Sequence, residues 1–191
     1  GVKGFVVTGD VSKREKVNQM VKQIEECIGH VDILVNNAGT MIKRSKIADL
    51  DVEVWEKILA TNLTSVFNVT QAVLPLIKKS ESGQIINITS IAARNGGGNG
   101  AVAYAAAKGG VSTFTRGLAK ELVEDNIRVN GIAPGIISTK FHDQFSTSEL
   151  RKGFSNLVPL KREGRPDEVV GAALYLASDY ASYVTGEIIE V

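Results

Sequence analysis

A single cysteine, Cys27, stands in the whole sequence, so no internal disulfide can form, which fits a reducing, cytoplasmic compartment. The two histidines, His30 and His142, lie far apart, which argues against a Cys/His metal site. One tryptophan, six phenylalanines and a formal net charge of +1 give neither the stacking surface nor the polycationic character of a nucleic-acid binder. The same balance offers no attraction to an acidic membrane. No apolar run approaches the ~20 residues that cross a bilayer. No repeat, linker or low-complexity stretch divides the chain. What remains is ordinary: 191 residues, 23% charged and 43% hydrophobic, suit one globular domain.

Taken in order, the chain alternates between two hydrophobic periods. Val6-Val7-Thr8-Gly9-Asp10 closes a short apolar run that reads as a strand. Ser12 and Glu15 have capping-box spacing, so a helix is predicted from about Lys13. Val17, Met20, Val21, Ile24, Cys27 and Ile28 repeat at helical spacing, and Cys27 is expected to be packed. Val31 to Val35 reads as a strand covered on both faces, ending in Asn36-Asn37-Ala38-Gly39. A continuous helix is predicted from about Asp51 to Lys78, with Asn62 on its apolar face. A buried amide needs partners, so Asn62 is either a structural clamp or part of a site. Ile85, Ile86 and Ile88 form another buried strand, ending at Thr89-Ser90. Gly96-Gly97-Gly98-Asn99-Gly100 is a flexible loop. A helix follows to about Asp125, then a strand over Ile127–Ala133 stopped by Pro134-Gly135. Residues 140–165 lack a sustained buried period and are either a substrate lid or a plain surface excursion. A last helix runs from Pro166 to about Ser178, and Glu187 to Val191 begins a strand. Alternating strands and helices predict an α/β domain with a parallel sheet, whose ligands bind at the carboxyl ends of the strands.

Within the helix after the glycine loop, Tyr104 and Lys108 are four residues apart. That spacing puts both side chains on one face. An ammonium beside a phenol favours the phenolate and lowers its pKa from about 10. The pair is a candidate general acid/base. Taken alone, it is equally a surface helix pair.

Asn36-Asn37-Ala38-Gly39, Asn62, Ser90, Tyr104-x-x-x-Lys108 and Pro134-Gly135, in this order, resemble the short-chain dehydrogenase/reductase family over essentially all of the chain. Within the family the chain is most similar to 3-oxoacyl-(acyl carrier protein) reductases and bacterial sugar or polyol dehydrogenases. The resemblance implies a Rossmann-type doubly wound sheet, NAD or NADP as cofactor, and hydride transfer between nicotinamide and a small carbonyl/alcohol substrate. It implies that Tyr104 exchanges a proton with the substrate oxygen and that Ser90 holds and polarises that oxygen. Lys108 would lower the tyrosine pKa and bind the nicotinamide ribose, and Asn62 would anchor a proton-relaying water. Asp10 and Val11 would contact adenine. Asn36, Asn37, Ala38 and Gly39 would line the cofactor together with Tyr104, Lys108, Pro134 and Gly135. Ile137 and Thr139 would contact the carboxamide and phosphates. The family often forms homotetramers, so a homotetramer or homodimer is expected through the helices at 51–78 and 101–125. The rival reading is a cofactor-binding protein without catalysis, which the four filled catalytic positions oppose.

Three departures accompany the resemblance. The glycine-rich phosphate loop is absent, and Asp10-Val11 places the first strand third in a 3-2-1-4-5-6 order. An amino-terminal βαβ unit and a few carboxyl-terminal residues are therefore expected beyond this sequence, and a gap is expected within the sheet. The residue that would choose between NAD and NADP falls outside it. Second, Glu81 and Asp125 match positions where carrier-protein reductases present arginines near the active-site entrance, and acidic residues there would repel an acidic carrier. Third, Ser90 and Tyr104 are 14 residues apart, one more than in many relatives.

Overall fold

The computed structural model describes residues 2–191. Helix α1 spans Arg14–Ile28 and strand β1 spans Ile33–Asn36. Helices α2 (Val52–Leu59) and α3 (Ser65–Ile77) flank a π-helical turn at Ala60–Thr64. Strand β2 (Gly83–Ile88) leads through a short α4 (Ala92–Asn95) into the long α5 (Val102–Glu121). Strand β3 (Ile127–Ala133) is followed by α6 (Lys140–Phe145), α7 (Ser148–Leu157), α8 (Pro166–Ala177) and β4 (Ile188–Glu190).

All four strands are parallel and pair consecutively, β1-β2-β3-β4. Neighbouring residues of a strand point to opposite faces, and on β2 and β3 both faces are covered. Ile85 and Val129 pack with Val73, Ile77 and Leu118, so α3 and α5 cover one face. Ile86 and Ile132 pack with Leu176, so α8 covers the other. That is why these two strands read as unbroken apolar runs rather than alternating ones.

Several expectations change. The apolar run at Val6-Val7 forms no strand: residues 2–10 carry no regular structure, and Val6 is exposed. A strand exists only where a neighbour takes its backbone N–H and C=O groups, and none lies beside this segment. The expected gap is likewise not found, since the described strands are contiguous. Strand β1, expected to be covered on both faces, is covered on one alone: Leu34 packs inward while Ile33 and Val35, on the opposite face, are exposed.

The capping box is not made. Ser12 donates its backbone N–H and its hydroxyl to Asp10 Oδ1, at 2.9 and 2.7 Å, and Lys13 occupies the N-cap without a side-chain bond. The helix ends as its sequence suggests, at Gly29 in the left-handed conformation with its N–H on Glu25 O. Cys27 is exposed rather than packed. Helix α1 rests on α3 and buries Val17, while the last turn of its stripe meets no neighbour. Residues 140–165 hold two helices. The base of this segment is tied by Ser138 N–H to Gly164 O and Gly164 N–H to Ile136 O, both 2.8 Å.

Candidate active site

Three parallel strands end side by side, and the segments that follow them carry the motif residues. Asn37–Gly39 follow β1, Thr89-Ser90 follow β2, and Pro134-Gly135 follow β3. Backbone bonds from Thr89 N–H to Ile132 O (2.7 Å) and from Ile91 N–H to Pro134 O (3.0 Å) hold the second and third segments together. Gly135 N–H donates to Val191 O at 2.7 Å, and Arg94 pairs with Glu190, which adds the end of β4 to the same edge.

Helix α5 is fastened to this edge through its second turn. Lys108 is 3% exposed, and its Nζ donates to the carbonyl of Ile88, the last residue of β2, at 2.7 Å. In the reverse direction Thr89 Oγ1 donates to Lys108 O at 2.9 Å and lies 2.7 Å from Ser112 Oγ. These bonds fix the register of helix against strand and bring Tyr104 near Ser90, whose hydroxyl draws the phenol pKa down.

The electrostatics differ from the simple pair picture. Burial raises the Tyr104 pKa above its ordinary value, and the Ser90 hydroxyl pulls it back only in part. Lys108 Nζ lies 5.9 Å from the centre of the tyrosine ring, turned toward the strand carbonyl. It is therefore Ser90, not Lys108, that favours the phenolate in this arrangement. Lys108 itself is lowered to about 8 by burial.

Asn62 sits in the π-turn that interrupts the helix predicted as continuous. Such turns shift the residues after them around the axis and occur often at functional sites. The amide is completely buried and fully engaged. Its Nδ2 donates to Thr40 O (2.7 Å) and Ile58 O (2.8 Å), and its Oδ1 accepts from Thr40 N–H (3.0 Å). Asn62 thus clamps the loop after β1. A Cβ added to Gly39 would lie 2.8 Å from Asn62 Oδ1 and 3.1 Å from Lys108 Nζ. Glycine lets the loop pass over both groups.

Asn36 departs from its expected neighbours. Its side chain turns inward, donating to Thr70 Oγ1 (3.0 Å) and Asn87 Oδ1 (2.8 Å), while Asn87 donates to Thr115 Oγ1 (2.9 Å). Both amide hydrogens of Asn36 are used within the protein. Asn37, Ala38 and Gly39 remain exposed at the edge. Val11 reaches this edge and shares a cavity with Val35, Asn36, Asn37, Ala38, Ser65, Val66 and Val69, so Asn36 still lines it. Asp10 is held below the usual carboxylate range by its two bonds from Ser12. Thr139 precedes α6, and Ile137 bridges to Gly164 at the base of the following segment. This edge, with an apolar slot at one end and an acid/base pair at the other, fits an extended dinucleotide. When bound, its nicotinamide supplies or accepts a hydride.

The two acidic positions lie elsewhere. Glu81 and Asp125 precede β2 and β3, at the amino ends of the strands and across the sheet from Ser90. Lys78 Nζ pairs with Asp125 at 2.7 Å. Within this chain they do not face the site, and one of them is neutralised, so the repulsion expected from them does not apply there.

Other residues that the sequence reading did not single out shape the site. Phe141 stacks against Tyr104 with ring centres 5.5 Å apart, and Phe145 stands 5.2 Å beyond it. Arg151 joins Glu163, Asp143 and Ser138. The aromatic cluster in an otherwise polar segment was the one visible hint.

The comparisons agree with this geometry. A family model described as Enoyl-(Acyl carrier protein) reductase matches residues 1–191. The chain belongs to the short-chain dehydrogenase/reductase family. Nodulation protein G of Azospirillum brasilense is 47% identical over 194 residues, covering 100% of this chain and 76% of that protein. The 3-oxoacyl-(acyl-carrier-protein) reductase FabG of Thermotoga maritima is 38% identical, covering 95% of this chain and 73% of its own length. FabG of Aquifex aeolicus is 40% identical, covering 100% and 76%. As a member of this family the chain is an NAD(P)-dependent oxidoreductase acting on CH–OH groups. Among the described residues no helix is long and apolar enough to cross a membrane.

Proposed function

We propose that this oxidoreductase reduces a 3-oxoacyl thioester to the 3-hydroxyacyl thioester. The observation that carries the reading is buried Lys108, whose Nζ on Ile88 O holds the Tyr104 turn of α5 against the end of β2, which Ser90 follows. Ser90 and Tyr104 together bind the carbonyl oxygen. Tyr104 is protonated at neutral pH because burial raises its pKa, so it enters the reduction as the proton donor. Its phenolate is favoured by the Ser90 hydroxyl. Lys108 also contacts the nicotinamide ribose and, with Asn62 holding the Thr40 loop, passes protons back to Tyr104 through bound water. Asp10 and Val11 receive the adenine, Asn37 to Gly39 line the cofactor, and Pro134, Gly135, Ile137 and Thr139 enclose its nicotinamide end. Asn36 supports this edge from within the sheet.

The closeness to the FabG proteins supports the thioester over a polyol. We place the enzyme in the cytoplasm as a homotetramer or homodimer; its exposed lone thiol suits a reducing compartment.

Steady-state assays of the full-length protein with acetoacetyl thioesters and with polyols, under NADH and NADPH, test the assignment. Reduction of the thioester is expected, with kcat falling about 10²- to 10⁴-fold in Tyr104→Phe. Unchanged activity in that variant overturns the mechanism, and turnover of polyols alone overturns the substrate class.

A further inference from the structure

Beside the catalytic pair lies a cleft of about 570 Å³, bounded by Ile42, Lys43 and Arg44 on one side and by Phe145, Thr147 and Leu150 on the other. The aromatic row Tyr104, Phe141, Phe145, in ring-to-ring steps of 5.5 and 5.2 Å, runs from the site to the wall of this cleft. One wall carries two cations, and the other sets Phe145 and Leu150 among Asp143, Gln144, Ser146 and Thr147. The charges in and around the cleft do not weigh equally. Lys43 Nζ is 3.4 Å from Asp51, and Asp143 is held by Arg151. Arg44 stands apart from these pairs. It is half-buried, and its Nε donates to Phe145 O at 3.0 Å and its Nη1 to Asn99 O at 2.8 Å. Both acceptors are neutral carbonyls, and no carboxylate offsets the effect of burial, which lowers the guanidinium pKa.

A guanidinium carries five N–H donors in a planar fork, and these two bonds leave the rest of the fork unused. Because the carbonyls fix its orientation, the loss of side-chain freedom is already met before any ligand arrives. Partly dehydrated, preoriented and without a counter-charge, such a group favours an anion strongly.

We propose that Arg44 forms an anion subsite that holds a phosphate or carboxylate on the tail of the substrate, beyond the aromatic row that leads to the reacting carbonyl. The subsite rests on the 3-oxoacyl reading for the identity of that tail. It makes Arg44 a specificity determinant rather than a participant in the chemistry.

The test uses one acetoacetyl group on three thiols: uncharged N-acetylcysteamine, carboxylate-bearing 3-mercaptopropionate, and phosphate-bearing coenzyme A. Arg44→Gln in the full-length enzyme is expected to raise KM at least about tenfold for the anionic thioester that uses the site, with kcat unchanged and the neutral thioester unaffected. Which anionic arm responds identifies the group. Equal changes for all three thioesters show a loop clamp only and overturn the proposal. Calorimetry of pantetheine 4′-phosphate, pantetheine and 3-mercaptopropionate on the same protein gives a readout independent of turnover. Tighter binding of an anionic probe than of pantetheine, lost in Arg44→Gln, supports the subsite. No preference for either anion overturns it. If none of the three thioesters is reduced, the 3-oxoacyl reading fails, and the calorimetry alone decides the subsite.

Discussion

In the unfolded chain Lys108 holds its proton to a pH of about 10.4, whereas burial in the fold lowers that to about 8. Between these values the unfolded state binds more protons, so stability rises with pH across the window. Below pH 8 the penalty is present in full, on the order of 3 kcal/mol. Denaturant unfolding of the wild type and of Lys108→Met, at pH 7 and pH 10, isolates it. The difference between the two proteins is expected to move in favour of the wild type at the higher pH; a constant difference refutes the burial argument. Gly39 offers a second test at this scale. Asn62 is pinned by three bonds and Lys108 by one, so neither retreats easily from an added methyl. Gly39→Ala is expected to cost about 1–3 kcal/mol and to lower kcat at least about tenfold through the displaced lysine. Activity and melting temperature both unchanged would show that the loop yields instead.

Among the elements, the segment from Ser138 to Glu163 behaves as one body. Arg151 on α7 binds the Glu163 carboxylate through two nitrogens, reaches Asp143 on α6, and donates to Ser138 at 3.1 Å. Its partners span both ends of the segment, and Arg44 joins its middle to the glycine loop. The helices cover Tyr104 through Phe141, so a looser segment exposes the site to water. Arg151→Ala is expected to raise KM about three- to tenfold and to lower the melting temperature, because the bidentate pair with Glu163 is largely shielded from water. Hydrogen exchange should quicken in α6 and α7 and not in β2; uniform protection would show that the latch has no role. The π-turn belongs to this scale too. The apolar spacing from Trp55 to Ile77 is helical throughout, so nothing in it marks the extra residue. Asn62 read as a buried amide in need of partners, which marked the position and not the turn.

For the whole molecule, the unpaired surfaces predict association. Val170, Leu174 and Tyr175 of α8 are exposed, as are Tyr180 and Tyr183 beyond it. That much apolar surface marks interaction sites. Light scattering of the full-length protein should give a dimer or tetramer; a monomer at all concentrations would refute the assembly.

The sequence by itself determined the alternation of strands and helices and the parallel sheet, covered on both faces at β2 and β3. It also ordered the motif residues along the chain, because hydrophobic period and strand-end residues are local properties. Only the tertiary structure decided how those residues are used. Asn36 and Asn62 read alike as polar residues in apolar surroundings, yet one bridges two strands to a helix and the other clamps a loop. Val6-Val7 has the composition of a strand and forms none, since pairing needs a neighbour. Tyr104 and Lys108 were spaced for contact, but the lysine turns to the carbonyl of Ile88 and leaves the phenol to Ser90. Each of these outcomes depends on groups distant in sequence that meet only when the sheet forms, and that is why spacing alone did not reveal them.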